Sequence, residues 1–240
     1  MGMSQEANMA LFDIIGPVMV GPSSSHTAGA VRLGLMSRIL LKEEPVNGEI
    51  MLHGSFATTG KGHGTDRALV AGILGMEPED MRIPDSFQIA EERGFFFTID
   101  TANLKDCHPN SVLIHLKGKS GREVSVLGSS VGGGSIRVNK LDGVDVDFSG
   151  QNPTLIVHNE DKPGHVATIT FMLSSNGINI GTMNVYRDRK GENAVMVVEL
   201  DQSVPQELVH QMETIDGIHK VIYFDGMKED GGSSHGSDLS

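Results

Sequence analysis

A single cysteine, no tryptophan, few aromatics and no apolar run long enough to cross a bilayer are what this chain of 240 residues lacks, and each absence excludes something. One thiol, Cys107, forms no internal disulfide and holds no iron-sulfur cluster alone, because such clusters take several thiolates. A membrane span needs about 20 continuous apolar residues. None is present, and the N-terminus lacks the basic region and apolar core of a leader, so a cytoplasmic location is expected. Positive charge is scarce as well: 19 Lys and Arg against 31 Asp and Glu leave a net charge of -12, which repels phosphate backbones and anionic lipid. Neither nucleic acid nor membrane is an expected partner. With aromatics at 5%, the core must be aliphatic, and 13 Met help to fill it.

What is present reads as two units and a tail. From residue 154 onward the order is strand, helix, two strands, helix, strand. "TLIVH" is a short apolar strand, and "DKPG" turns it into a helix with Val166, Ile169 and Leu173 spaced by three and four. "INIGTMNVYR" and "NAVMVVELD" are β-branched-rich runs joined by "DRKGE". Ser203 is placed to cap the second helix, and "HKVIYF" closes the set. This βαββαβ order is a ferredoxin-like sandwich. With "NEDKPG" after the first strand and "NI" opening the second, residues 153–225 resemble the ACT domain, a regulatory module that often binds amino acids at a subunit interface. A ferredoxin-like domain used only for dimerisation is the plainer alternative. Residues 226–240, "GMKEDGGSSHGSDLS", have almost nothing to bury and are expected to be a disordered tail.

Residues 8–148 form the larger unit, an α/β (α+β) domain of mixed topology. "FDIIGPVMV" is an apolar lead-in, and "TAGAVRLGLMSRILLKEE" is a helix with Val31, Leu35 and Ile39 on one face. "GEIMLHGSFA" reads as a strand, "TTGKGHGTD" as a glycine-rich loop and "RALVAGILG" as the next helix. "GFFFTID", "SVLIHLKG" and "REVSVLGSSVGG" add strands.

Four stretches carry the candidate chemistry. "GPSSSHTAGA" places Ser23, Ser24, Ser25, His26 and Thr27 at a helix entrance, where free N–H groups and the positive dipole end attract anions. A carboxylate is the natural guest; a plain serine-rich cap is the alternative. "GKGHGTD" adds Lys61 and His63 among glycines, with Thr65 or Asp66 placed to cap the following helix. It is not a phosphate-binding P-loop, whose lysine directly follows the last glycine. "CHPNS" holds His108 and Asn110 at a turn, and "VGGGSI" allows close backbone approach. Gathered at one end of a sheet, as ligand loops commonly are, the three histidines would share one polar site. Zinc is the weaker alternative, since no paired i, i+4 ligand spacing supports it; no metal ligand is assigned in this chain.

These motifs, with the ACT-like unit behind them, resemble the beta chain of the two-subunit, iron-sulfur-dependent L-serine dehydratase (L-serine ammonia-lyase) over residues 8–224. Ser135 departs from the likeness, standing where a larger apolar residue is expected. The resemblance implies that the larger unit is similar to the allosteric substrate-binding domain of some phosphoglycerate dehydrogenases. It also implies a partner alpha chain whose cysteines carry a 4Fe-4S cluster, the Lewis acid for the serine hydroxyl. L-serine would lose water, and the product would hydrolyse to pyruvate and ammonia. His26 or His63 would move the proton. Ser23, Ser24, Ser25, Thr27, Lys61 and Thr65 would hold the substrate, and His108 and Asn110 would orient the substrate or the domain interface. In the ACT-like unit, Asp161, Gly164 and Asn179 would line an effector or subunit-facing site, with homodimerisation through that unit. A non-catalytic serine-sensing protein is the competing reading.

Overall fold

The computed structural model describes residues 25–187 and 189–227. Ser23, Ser24, the apolar lead-in and most of the expected tail lie outside the described residues.

The chain opens with helix α1 (Ala28–Leu41), an Ala- and Leu-rich run that ends where Lys42 turns left-handed at φ 63°. Strand β1 (Pro45–Leu52) follows, then α2 (Gly54–His63), α3 (Thr65–Ile73), a 3-10 turn (Ile83–Asp85) and α4 (Ser86–Glu92). These helices cross over to β2 (Phe96–Thr101), which pairs parallel with β1. The remaining pairings are antiparallel: β3 (Ser111–Gly118), β4 (Glu123–Gly132), β5 (Ser135–Leu141) and β6 (Val144–Phe148) complete a sheet of order β2-β1-β3-β4-β5-β6.

Three local expectations are overturned in this unit. "GEIMLHGSFA" is not strand throughout and "TTGKGHG" is not a loop, because β1 stops at Leu52 and Gly54–His63 is helical. Gly54, at φ 55°, lets the chain leave the sheet, and a side chain there would collide with Pro109. The carbonyl of Pro109 then accepts the Ser55 N–H at 2.7 Å, and Phe56 is fully buried. An anchored phenylalanine contributes about 2 to 3 kcal/mol, which offsets the roughly 1 kcal/mol that each interior glycine costs a helix. Neither Thr65 nor Asp66 caps α3; its N-cap is Gly64, in the left-handed region.

The second sheet, of order β10-β7-β9-β8, is built from β7 (Thr154–Glu160), α5 (His165–Ser175), β8 (Ile180–Arg187), β9 (Asn193–Leu200), α6 (Gln206–Glu213) and β10 (Ile218–Phe224). Ile169 and Leu173 of α5 are buried as expected, but Val166 is turned outward, 43% exposed. Ser203 does not cap α6, whose N-cap is Pro205 with no side-chain bond. One face of this sheet packs on α5 and α6 through Leu155, Val157, Met196 and Val198. Its other face, Ile156, Val195, Val197, Ile222 and Phe224, belongs to the same apolar core as α1 and the first sheet. Lys42 bridges the two units, donating to the Val221 carbonyl at 2.7 Å and pairing with Glu213 at 2.9 Å.

Candidate active site

Helices α1 and α3 are crossed at two glycines. A Cβ on Gly34 would overlap the carbonyl of Leu69, and one on Gly72 would overlap that of Val31, three residues back on the partner helix in both cases. Further along α1, Arg38 donates to the carbonyl of Ile73 at the C-terminal end of α3 and lies against Gly75, so the two helices run parallel. Their N-termini therefore lie at the same end of the pair, and two positive dipole ends point to one place. Thr27 is the N-cap of α1 and Thr65 the first residue of α3. Both are buried, and neither hydroxyl has a hydrogen-bond partner among the described residues.

The sheet delivers the other groups to this end. Leu52, the last residue of β1, pairs with Val112 at the start of β3, and Ser111 pairs with Ser129 near the end of β4. His26 lies against the beginning of α2: its Nε2 is 3.4 Å from Ser55 Oγ, and its ring meets the buried Phe56 edge-on with centroids 5.4 Å apart. Asn110 sits between β4 and the turn before β3, its carbonyl accepting the Ser130 N–H at 2.9 Å. His108 is exposed, and its Nδ1 accepts the Asn110 N–H at 3.1 Å. A neutral His108 thus carries its proton on Nε2, free to donate outward. The glycine turn Gly132–Gly134 is clamped by Arg32, whose Nη1 donates to the Gly134 carbonyl at 2.8 Å.

The structure thus brings together Ser25, His26, Thr27, Thr65, His108 and Asn110 at one end of the first sheet. Lys61 and His63 are carried on the last turn of α2, which leads directly into Gly64 and α3. The sequence reading missed Ser55, Ser130 and Arg32. Arg32 carried a usable signal, a charge inside the otherwise apolar run "AVRLGL". Among the described residues no group of three His, Cys, Asp or Glu is placed to hold a metal ion.

The expected effector residues are not gathered in one chain. Asp161 accepts from the Gly191 N–H at 2.8 Å and from Arg187 at 3.0 Å, contacts that hold its carboxyl below the usual range and tie the β8–β9 hairpin. Gly164, at φ 107°, is the N-cap of α5. Asn179 lies beyond the other end of that helix, about 16 Å away by helix length, bonded to Asp201 and Gln202.

Family comparison agrees with this architecture. The family described as "Serine dehydratase beta chain" matches residues 10–93, and the ACT domain family matches residues 153–217. A probable L-serine dehydratase beta chain of Bacillus subtilis is 39% identical over 212 residues, covering 88% of this chain and 96% of that protein. The chain belongs to the family of L-serine dehydratase beta chains. The L-serine dehydratase beta chain of Peptoniphilus asaccharolyticus is likewise 39% identical, covering 82% of this chain and 89% of that one. Beta chains of this family are lyase subunits. The likeness extends more distantly to D-3-phosphoglycerate dehydrogenase of Mycobacterium bovis, 27% identical over 74% of this chain and 34% of that protein.

Proposed function

We propose that this chain works with an alpha chain as an L-serine dehydratase, deaminating L-serine to pyruvate and ammonia in the cytoplasm. The observation that carries this reading is the meeting of two parallel helix N-termini beside His26, in a chain of this family. Amides and hydroxyls at that place are donors, and a carboxylate is a pure acceptor. The substrate carboxylate is held by the entrance to α1, from Ser23 to Thr27, with Lys61 and Thr65. His26 or His63 takes the α-proton, and His108 with Asn110 orients the amino acid. Positive helix ends next to the carboxylate favour the charge that develops when that proton leaves.

Four-iron, four-sulfur chemistry does not fit this chain by itself. Cys107 is its single cysteine, and the thiol donates to the Lys105 carbonyl. Cluster ligands therefore fall to the alpha chain. Homodimerisation is assigned to the second sheet, where β8 is an edge strand and Phe171 and Val185 are exposed apolar groups.

The test is co-expression with an alpha chain, anaerobic purification, and assay for a four-iron chromophore and serine-dependent pyruvate. A cluster-loaded complex that binds serine without turnover would favour the second reading, a serine-binding regulator, which rests on the stretch shared with the dehydrogenase.

A further inference from the structure

Ser129 and Ser130 are neighbours on β4, so their side chains leave opposite faces of the sheet. Ser129 is fully satisfied: its Oγ is 2.8 Å from Ser111 Oγ and 2.8 Å from Asn139 Oδ1. Ser130 is not. Its side chain is completely buried and its hydroxyl has no partner among the described residues. It is pressed against the first turn of α1, where a Cβ on Gly29 would overlap both Ser130 Oγ and Ser130 Cβ. A buried hydroxyl without a partner is a net cost that alanine would avoid at the same place.

The first turn of α1 presents donors of its own. Its first internal bond runs from the Val31 N–H to the Thr27 carbonyl at 2.9 Å, so the amides of Ala28, Gly29 and Ala30 have no acceptor within the helix. Thr27 makes no side-chain cap, and its own buried hydroxyl is unpartnered among the described residues. Unpaired hydroxyls thus stand on the strand side and the cap side of a positive helix end. We infer that Ser130 is a substrate-binding residue whose hydroxyl donates to the amino-acid carboxylate held at the first turn of α1. The inference rests on the dehydratase reading above. Backbone anchoring gives the hydroxyl a fixed position, because the Ser130 N–H is held by the Asn110 carbonyl, which links it to the turn that carries His108.

The experiment is Ser130→Ala in the complex with the alpha chain, with thermal stability, kcat and KM for L-serine, and inhibition by the neutral amide L-serinamide measured together. Thermal stability should hold or rise. KM for L-serine should increase roughly ten- to a hundredfold, the effect of losing a hydrogen bond to a charged group. Binding of L-serinamide, which lacks the carboxylate, should change far less. A structural role would instead lower thermal stability and weaken both molecules alike. An unchanged KM, or equal loss for the two, overturns the assignment. Should Ser130→Ala not fold, Ser130→Cys keeps the volume with a weaker donor and carries the same expectation. Failure of the wild-type complex to form pyruvate would overturn the dehydratase reading, and serine binding by the two variants would then decide on Ser130.

Discussion

Ser55 Oγ stands 3.4 Å from His26 Nε2, joining the entrance of α1 to the entrance of α2 across a distance that sequence order hides. Phe56 meets the same ring edge-on, so two consecutive residues give the imidazole a polar and an apolar contact. Ser55→Ala should lower kcat by about three- to tenfold, the scale of one neutral hydrogen bond, and move the histidine limb of the pH–rate profile. His26→Ala should cost at least about a hundredfold if this imidazole transfers the proton. Steady-state kinetics of both variants across pH checks the pair, and near-normal turnover for His26→Ala leaves His63 as the proton carrier.

The crossing of α1 and α3 places the two helix ends side by side, and it depends on the absence of side chains at Gly34 and Gly72. A Cβ at Gly72 would run into the carbonyl of Val31 and the amide of Leu35, both rigid backbone. Gly72→Ala should therefore destabilise the protein by about 1 to 3 kcal/mol, the usual cost of overpacking, and weaken serine binding by parting the helix ends. Thermal denaturation with and without L-serine measures both effects. A variant with unchanged melting temperature would show that the helices separate freely.

How much of this could be read from residues alone differs between the two units. The second unit was legible almost throughout, because its strands are unbroken β-branched runs and its turns are marked by glycine and charge. Local details failed there: Val166 has helical spacing, yet it faces outward, and Ser203 does not cap α6. In the first unit the boundaries around "HGSFATTGKGHG" were not legible. Four glycines argue for a loop, and the helix that takes up three of them is held by Pro109 and the core around Phe56, neither of which is local in sequence. The His26, His108 and Asn110 signals were visible as residue types in glycine-bordered turns. Ser55 and Ser130 were not, since a serine is conspicuous only once its neighbours and its missing partner are known. Alternate residues of β7 and β9 face different cores, one of them shared with α1 and the first sheet.

That shared core makes the second unit a bad candidate for clean removal. Truncation after Ser149 would uncover Ile156's partners in the first core, including those facing Val195, Val197, Ile222 and Phe224. The shortened chain should be insoluble or melt well below the full one. A truncated chain that stays folded, with an unchanged melting temperature, would show that the cores are independent.

Phe171 is 70% exposed on α5 and borders a shallow groove with Ala167, Thr170, Ile178 and Asn179. If homodimers form through this side, Phe171→Asp should convert them to monomers by placing like charges in an apolar contact. Its exposure predicts little change in monomer stability. Sedimentation of the wild type and the variant decides, and an identical oligomeric state in both moves the interface elsewhere.

His158 provides a pH test of the junction between the two sheets. It lies on β7 among groups from both units: Lys220 and His219 of β10, and Asp142 from the turn between β5 and β6. Burial, reinforced by Lys220 and His219 and opposed by Asp142, pushes its pKa down from 6.5 to about 4. The folded protein thus keeps this histidine neutral over a range in which the unfolded chain takes up a proton. Stability from this group is complete above about pH 6.5 and falls as pH drops toward 4, by up to about 1.4 kcal/mol per pH unit. Carboxylates titrate in the lower part of that window too, so the informative quantity is the difference between the wild type and His158→Leu. The variant should lose the decline that begins near pH 6.5 while matching the wild type in shape above it. Parallel melting curves for the two proteins from pH 7 to pH 4.5 would mean that His158 is protonated in the folded state, with the junction open to water around it.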